Sequence, residues 1–126
     1  MIYGIGTDIV YVERLGAMYE RHGVRALEKL LAPAERTDFD CASDPARFLA
    51  KRFAAKEAFG KALGTGVRAP ATLPAIAVAH DALGKPVLEF SGELAELMAA
   101  RRLTAHLSLA DEKDLAIAYV ILEQRQ

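Results

Sequence analysis

The sequence predicts an α+β protein. The first residues, Met1–Val12, are rich in β-branched and aromatic side chains, which is typical of a strand. The region from Asp44 to Gly66 has the apolar spacing and the glycine-rich end of one long helix. Near the C-terminus, two apolar runs flank the polar segment Asp111–Asp114, which has the composition of a turn. Strands at both ends of the chain with a long helix between them indicate the α+β class.

Helices are predicted for the part of the chain that follows the first strand. Glu13–His22 is expected to be a helix that stops at the next glycine, and Val24–Leu31 is expected to be a second helix. Pro33 suits the first turn of a short third segment, because a first turn leaves its N–H groups unpaired. Asp44, directly before Pro45, is expected to cap the long helix.

The second half of the chain is predicted to contain strands and one further helix. Residues 67–74 include two prolines and are expected to form a loop. Ser91 is expected to cap a helix from Gly92 to Arg102. Two strand pairs are expected around that helix: Ala75–His80 with Pro86–Phe90, and Thr104–Ala110 with Leu115–Glu123. The last strand is apolar on both faces, which predicts that helices or another subunit cover both sides.

Composition sets limits on the function. At 126 residues we expect one domain, residues 1–126, and its initial Met favours a free protein over part of a larger one. A net charge of −1 gives no overall basic field, so nucleic-acid binding is not predicted. The apolar N-terminal run lacks a basic leader and is too short to span a bilayer, so no membrane association is predicted. A lone Cys41 excludes an internal disulfide framework and predicts a reducing, cytoplasmic location.

The long helix contains a carboxylate and a cation on one face. Glu57 and Lys61 are four residues apart and have mostly apolar and small neighbours, so we expect a mostly buried helix in which Glu57 is functional. The alternative is a structural ion pair between them, which contributes about 0.3–0.5 kcal/mol on a helix.

A second carboxylate lies in the first strand. Alternation places Gly4, Gly6 and Asp8 on one side of that strand. A charge in an apolar strand is costly unless a partner or a metal satisfies it. Two carboxylates on separate rigid elements can hold Mg²⁺, which takes its remaining ligands from water and substrate phosphates. The alternative is that Asp8 is a strand-end carboxylate that accepts hydrogen bonds from backbone N–H groups.

Several short segments of the chain form a set of motifs: Ile5–Ile9, Arg52–Ala58, Lys61, Gly64–Gly66, Gly84–Pro86 and His106–Leu109. In their order and spacing these motifs resemble the holo-acyl-carrier-protein synthase family, the small single-domain branch of the 4′-phosphopantetheinyl transferases. The resemblance covers essentially the whole chain.

This resemblance implies a 4′-phosphopantetheinyl transferase fold, in which an antiparallel sheet packs with a long central helix and shorter helices. It also implies transfer of the 4′-phosphopantetheine arm of coenzyme A to a serine of an apo acyl carrier protein, with release of 3′,5′-ADP. Asp8 and Glu57 would hold Mg²⁺, and Lys61 would contact a phosphate and offset charge on the leaving group. Glu57, or a metal-bound water steered by Asp8, would take the serine proton, and the sequence leaves this choice open.

The resemblance also implies a set of residues that bind coenzyme A. They are Arg52, Lys56, Lys61, Gly64, Thr65, Gly66, Lys85, Pro86, His106 and Ser108. From the residues alone, the glycines suit an ordinary helix stop, Lys85-Pro86 an ordinary turn, and His106 and Ser108 an ordinary polar strand face. Many relatives carry a histidine where this chain has Asp111, which leaves the contacts at that end of the strand open.

Partners follow from the same resemblance. Helical spacing groups Arg14, Met18, Arg21 and Arg25, a cationic rim around a methionine that suits an acidic carrier protein; the alternative is an ordinary solvated helix face. The family implies a homotrimer with active sites at the subunit interfaces. Two other functions stay open: a non-catalytic module that binds coenzyme A or a carrier protein, and a metal-dependent phosphohydrolase. The sequence does not say whether the carrier protein serves fatty acid or polyketide synthesis.

Overall fold

The longest helix and the two longest strands form the centre of the fold. A computed structural model describes all 126 residues and confirms the α+β class. Its elements are β1 (Ile2–Tyr11), α1 (Val12–His22), α2 (Val24–Leu30), α3 (Pro33–Asp40), α4 (Pro45–Leu63), β2 (Ile76–His80), β3 (Pro86–Phe90), α5 (Gly92–Ala100), β4 (Leu103–Asp111) and β5 (Leu115–Gln124).

The strands are antiparallel, as expected, and they form two separate sheets. The larger sheet has the order β1-β5-β4, and the smaller sheet is the β2-β3 hairpin. In the larger sheet Ala118 of β5 pairs with Asp8 on one side and with Leu109 on the other. This register places the end of β4 and the middle of β1 on the same row of the sheet.

Local sequence signals explain most of the helix boundaries. Asp44 caps α4, because its Oδ1 accepts a hydrogen bond from the Arg47 N–H at 3.1 Å. The helix ends at Gly64, whose φ of 93° lies in the left-handed region that favours glycine. Ser91 makes no side-chain capping bond, so that prediction is wrong, and α5 ends at Ala100 rather than Arg102. The predicted loop contains a short 3₁₀ turn, Leu73–Ala75.

The larger sheet buries one face against α4. Alternate β5 residues (Ala116, Ala118, Val120 and Leu122) are fully buried there. On the opposite side, which we call the outer sheet face, the exposed large apolar side chains include Ile5, Ile9, Tyr11, Ile117 and Tyr119. The expectation that both faces of β5 are covered therefore holds for only one face within a single chain. None of the helices has the length and apolar character needed to cross a bilayer.

Candidate active site

Asp8 and Lys61 meet where β1 packs on α4. The Asp8 side chain is only 16% exposed, and its Oδ1 accepts a hydrogen bond from Lys61 Nζ at 3.2 Å. The same ammonium donates to the Thr7 carbonyl at 2.9 Å. Lys61 therefore pairs with Asp8 on the neighbouring strand, and the local ion pair between Glu57 and Lys61 is not formed.

Glu57 lies one helical turn before Lys61 and faces the same group of charges. Burial raises the pKa of the half-buried Glu57 carboxyl, and the nearby charge of Asp8 raises it further. The cations Lys61 and Arg14 act in the opposite direction on this pKa. Two carboxylates thus repel each other across the β1–α4 contact, which is costly unless a cation is bound between them.

The donor atoms at this place fit a hard divalent cation. Asp8 and Glu57 supply carboxylate oxygens from two rigid elements, and no further acidic, histidine or cysteine side chain completes a larger metal-binding group. Mg²⁺ in proteins is commonly held by one or two carboxylates and completes its octahedron with waters and substrate phosphates. The residues present therefore fit a magnesium ion that shares its coordination with a phosphate-containing substrate.

Two glycines of β1 make this close approach feasible. A Cβ added to Gly6 would lie 1.9 Å from the Ala58 carbonyl oxygen, and one added to Gly4 would lie 1.9 Å from that of Ala62. Any side chain at these positions would therefore collide with the helix backbone. We call this contact the glycine seat of α4; it brings Asp8 within reach of Glu57 and Lys61.

The turn after α4 folds back onto the helix. Gly66 N–H donates to the Gly60 carbonyl at 3.0 Å, and a Cβ on Gly60 would lie 2.8 Å from the Gly66 carbonyl carbon. The Thr65 hydroxyl donates to the Gly66 carbonyl at 2.9 Å, and both Gly64 and Thr65 are exposed. This geometry accounts for the glycines structurally, and a contact of this turn with coenzyme A stays a prediction.

Three other residues predicted to contact coenzyme A line one cavity. Lys85, His106 and Ser108 line a cavity of about 290 Å³ together with Tyr119 and Ile121. Pro86 follows Lys85 directly and begins β3. His106 Nε2 lies 3.0 Å from Glu123 Oε1.

This cavity and Asp8 lie on opposite faces of the larger sheet. His106 and Ser108 are exposed and alternate with buried Leu107, so they belong to the outer sheet face. Asp8 faces α4. The sheet of a single chain therefore separates two parts of the predicted coenzyme A site.

The structure contradicts the predicted role of Lys56 in binding coenzyme A. The side chain is fully buried, and its ammonium donates to Glu35 Oε1 at 2.5 Å, to the Leu30 carbonyl at 2.7 Å and to the Leu73 carbonyl at 3.0 Å. All three N–H groups are therefore used inside the protein, and none is left for coenzyme A. Burial lowers the pKa of Lys56, against the opposing charge and hydrogen bond of Glu35.

Sequence reasoning missed Glu35, the partner of this lysine. The carboxylate is 1% exposed and also accepts a hydrogen bond from Arg52 Nη1 at 3.2 Å. The signal that could have revealed it was indirect: two cations with mostly apolar helix neighbours require a buried anion, but nothing in the spacing selects which one.

Arg52 lies at the edge of a second cavity. Its guanidinium lies over the Phe48 ring at 4.4 Å and also donates to the Val78 carbonyl. The cavity, of about 380 Å³, is lined by Arg52 together with Arg47, Lys51 and His80. Asp111 pairs here with Arg47 at 3.0 Å and with Lys51 at 3.6 Å. A contact of Arg52 with coenzyme A stays a prediction.

The predicted docking residues Arg14, Met18, Arg21 and Arg25 lie on α1 and α2, and we call them the docking surface. All three arginines are exposed, and Arg14 stacks on Phe53 at 5.3 Å. Met18 and Arg25 line a cavity of about 590 Å³. Because Arg14 also lowers the pKa of Glu57, the docking surface borders the carboxylate pair.

An α+β chain with two carboxylates and a lysine between a strand and a long helix defines a candidate phosphoryl-transfer centre. The family model of the 4′-phosphopantetheinyl transferase superfamily matches residues 4–120. The chain therefore belongs to this superfamily of enzymes, as the motifs predicted.

Individual relatives agree with this assignment. The chain is 69% identical over 123 residues to the holo-[acyl-carrier-protein] synthase of Dechloromonas aromatica (strain RCB), and the match covers 98% of each chain. It is similar to the crystal structure of holo-[acyl-carrier-protein] synthase from Neisseria meningitidis, with a TM-score of 0.94, 42% identity and coverage of 98% of this chain and 100% of that one. The synthase from Bacillus anthracis in complex with CoA (3′,5′-ADP) matches with a TM-score of 0.84, 35% identity and 99% coverage of both chains.

Proposed function

We propose that the chain transfers the 4′-phosphopantetheine arm of coenzyme A to a serine of an apo acyl carrier protein and releases 3′,5′-ADP in a magnesium-dependent reaction. The observation that carries this proposal is the placement of Asp8, Glu57 and Lys61 across the glycine seat. The relatives named holo-[acyl-carrier-protein] synthase, and a related structure bound to coenzyme A, support the choice of substrates.

In this reaction the serine oxygen bonds to the β-phosphorus of coenzyme A, and the bond from that phosphorus to the bridging oxygen breaks. Magnesium held by Asp8 and Glu57 would supply charge neutralisation on the pyrophosphate oxygens. Lys61 Nζ, held beside Asp8 at 3.2 Å, is placed to offset charge on a phosphate next to this pair. The serine proton would pass to Glu57 or to a metal-bound water steered by Asp8, since a bound cation lowers the pKa of its water.

Intact-mass spectrometry of an apo acyl carrier protein tests the transfer. Incubation with the enzyme, coenzyme A and Mg²⁺ should add the mass of one phosphopantetheine. EDTA or Glu57→Gln should abolish the gain, while the exposed matched control Glu93→Gln on α5 should leave it unchanged. An unmodified carrier protein with coenzyme A consumed would indicate a phosphohydrolase, and an unmodified carrier protein with coenzyme A bound and intact would indicate a binding module.

We also propose that the enzyme is a homotrimer with its active sites between copies. The exposed apolar outer sheet face supports self-association, because contiguous patches of this kind are rarely left in contact with water. A second copy is also needed if Lys85, His106 and Ser108 are to face the carboxylate pair, since one chain places them on opposite sides of its sheet.

Mixed oligomers test the shared site. A Glu57→Gln chain and a His106→Ala chain should each be inactive. Unfolding and reassembling them together at equal amounts should restore about one quarter of the wild-type activity, because that share of interfaces combines two intact halves. Activity that stays absent after mixing would show that one chain supplies the whole site.

The docking surface is proposed to bind the acidic carrier protein, and the cytoplasm is proposed as its location. Three exposed arginines around a methionine suit an acidic helix with an apolar ridge. The single exposed Cys41 has no partner for an internal disulfide, which suits a reducing compartment.

A further inference from the structure

Glu35 is the centre of a buried charge cluster on the side of α4 that faces away from the glycine seat. We call Glu35, Arg52 and Lys56 the Glu35 cluster; their exposed fractions are 1%, 7% and 0%. Lys56 lies two residues before Ala58, which contacts the seat, so the two residues lie about 200° apart around the helix. The cluster and the seat therefore hold opposite sides of the same helix.

The cluster makes directional bonds to four different segments. Glu35 accepts hydrogen bonds from the N–H groups of Ala32 at 2.9 Å and Val78 at 3.0 Å, as well as from its two cations. Through Lys56 it is joined to the carbonyls of Leu30 and Leu73. The end of α2, the start of α3, the 3₁₀ turn and β2 are thus all bonded to one face of α4.

The glycine seat has the opposite character. It allows α4 to approach β1 very closely, but Gly4 and Gly6 have no side chains that could interlock with the helix. A smooth contact of this kind fixes the separation of helix and strand better than it fixes rotation of the helix about its own axis. The rotation decides where Glu57 points, because Glu57 directly follows Lys56 in the chain.

We propose that Glu35 is a positioning residue for the metal-binding pair: its bonds to Arg52 and Lys56 set the rotation of α4 and so aim Glu57 at Asp8. This inference rests on the proposed function, because it takes Asp8 and Glu57 as the metal ligands. Glu35 touches neither carboxylate and acts only through the helix.

The test is the affinity for Mn²⁺, measured through the loss of the electron paramagnetic resonance signal of the free ion. Coenzyme A is present at a fixed concentration, and a blank contains coenzyme A without protein. We expect Glu35→Gln to weaken Mn²⁺ binding about 10-fold or more, a typical loss when a group that orients a metal ligand is changed. The matched control is Leu94→Ala, a fully buried apolar position on α5 outside the cluster. Both variants are compared at a temperature where each is folded by circular dichroism, and the control should bind Mn²⁺ as the wild type does.

The outcomes separate this inference from the proposed function. If wild-type protein binds no Mn²⁺ above the blank, the metal site itself is refuted, and the inference with it. The same holds if Mn²⁺ binding persists in Asp8→Asn. If Asp8→Asn abolishes Mn²⁺ binding but Glu35→Gln binds Mn²⁺ as tightly as wild type or as Leu94→Ala, the positioning role alone is overturned. If Glu35→Gln does not fold, Glu35, Arg52 and Lys56 are all changed to methionine, which keeps the volume without directional bonds. Mn²⁺ binding by that variant as tight as wild type would overturn the proposal, and a loss of about 10-fold would support it.

Discussion

Replacing Gly6 by alanine should separate α4 from β1. The added Cβ would lie 1.9 Å from the Ala58 carbonyl oxygen and 2.7 Å from the Ala62 nitrogen, whereas real Cβ contacts are essentially never shorter than 3.0 Å. Both atoms belong to the helix backbone, so no side-chain rotation relieves the collision. The helix or the strand must therefore shift by about 1 Å.

The expected loss of stability follows from two opposing effects. Overpacking of a core costs about 1–3 kcal/mol. The alanine also restricts the unfolded chain, which returns about 0.4–1 kcal/mol. We expect Gly6→Ala to lower the free energy of unfolding by about 1–2 kcal/mol, or Tm by about 4–10 °C.

The loss of activity should be larger than the loss of stability implies. A shift of about 1 Å changes the separation between Asp8 and Glu57, and misplacement on that scale can reduce a rate about 100-fold. Phosphopantetheine transfer by Gly6→Ala should therefore fall about 100-fold at a temperature where the variant is still folded.

The assay pairs thermal unfolding with the initial rate of carrier-protein modification. The matched control is Gly16→Ala on α1, where the added Cβ would meet only the Ala46 methyl at 3.1 Å. Because alanine has a higher helix propensity than glycine, the free energy of unfolding of this control should equal that of the wild type or exceed it by up to about 1 kcal/mol. The rate of carrier-protein modification should be unchanged. A Gly6→Ala variant as stable and as active as Gly16→Ala would refute the reasoning from the glycine seat.

Three further predictions follow from the carboxylate pair and the two surfaces. Burial and Asp8 raise the pKa of Glu57, so the folded protein holds this proton more tightly than the unfolded chain does. Stability is therefore lost as the pH rises from the ordinary glutamate pKa through the raised pKa. Glu57→Gln removes that loss, so its Tm relative to wild type should rise across this window without Mg²⁺; a difference that does not change with pH would contradict this. Ile9→Lys places a charge on the outer sheet face and should give monomers in sedimentation velocity, whereas an intact trimer would show that another surface joins the copies. Arg21→Glu should weaken carrier-protein binding about 10-fold and leave coenzyme A binding unchanged, both measured by calorimetry with Arg125→Glu as the control; equal changes in both constants would argue against the docking surface.

Elements set by local chemistry were accessible from the sequence. The strand β1, the Asp44 cap and the Gly64 end of α4 each depend on residues within a few positions of one another. Ser91 shows the limit of such signals, because a suitable residue type directly before a helix makes no capping bond there.

Long-range relationships were not accessible from residue spacing. The family resemblance implied that Lys56 binds coenzyme A, yet its partner is Glu35, 21 residues earlier in the chain. Only the packing of α3 against α4 and β2 brings this carboxylate to the lysine. The apolar character of β5 was read correctly, but whether its second face lies inside the chain or on its surface depends on the tertiary arrangement.

The most direct measurement of the central claim is a crystal structure of the enzyme with coenzyme A and Mn²⁺, with the metal located by its anomalous scattering. The proposed mechanism predicts one peak between the Asp8 and Glu57 carboxylates that also contacts the pyrophosphate oxygens. A metal bound away from either carboxylate, or a pyrophosphate bound elsewhere on the protein, would contradict it.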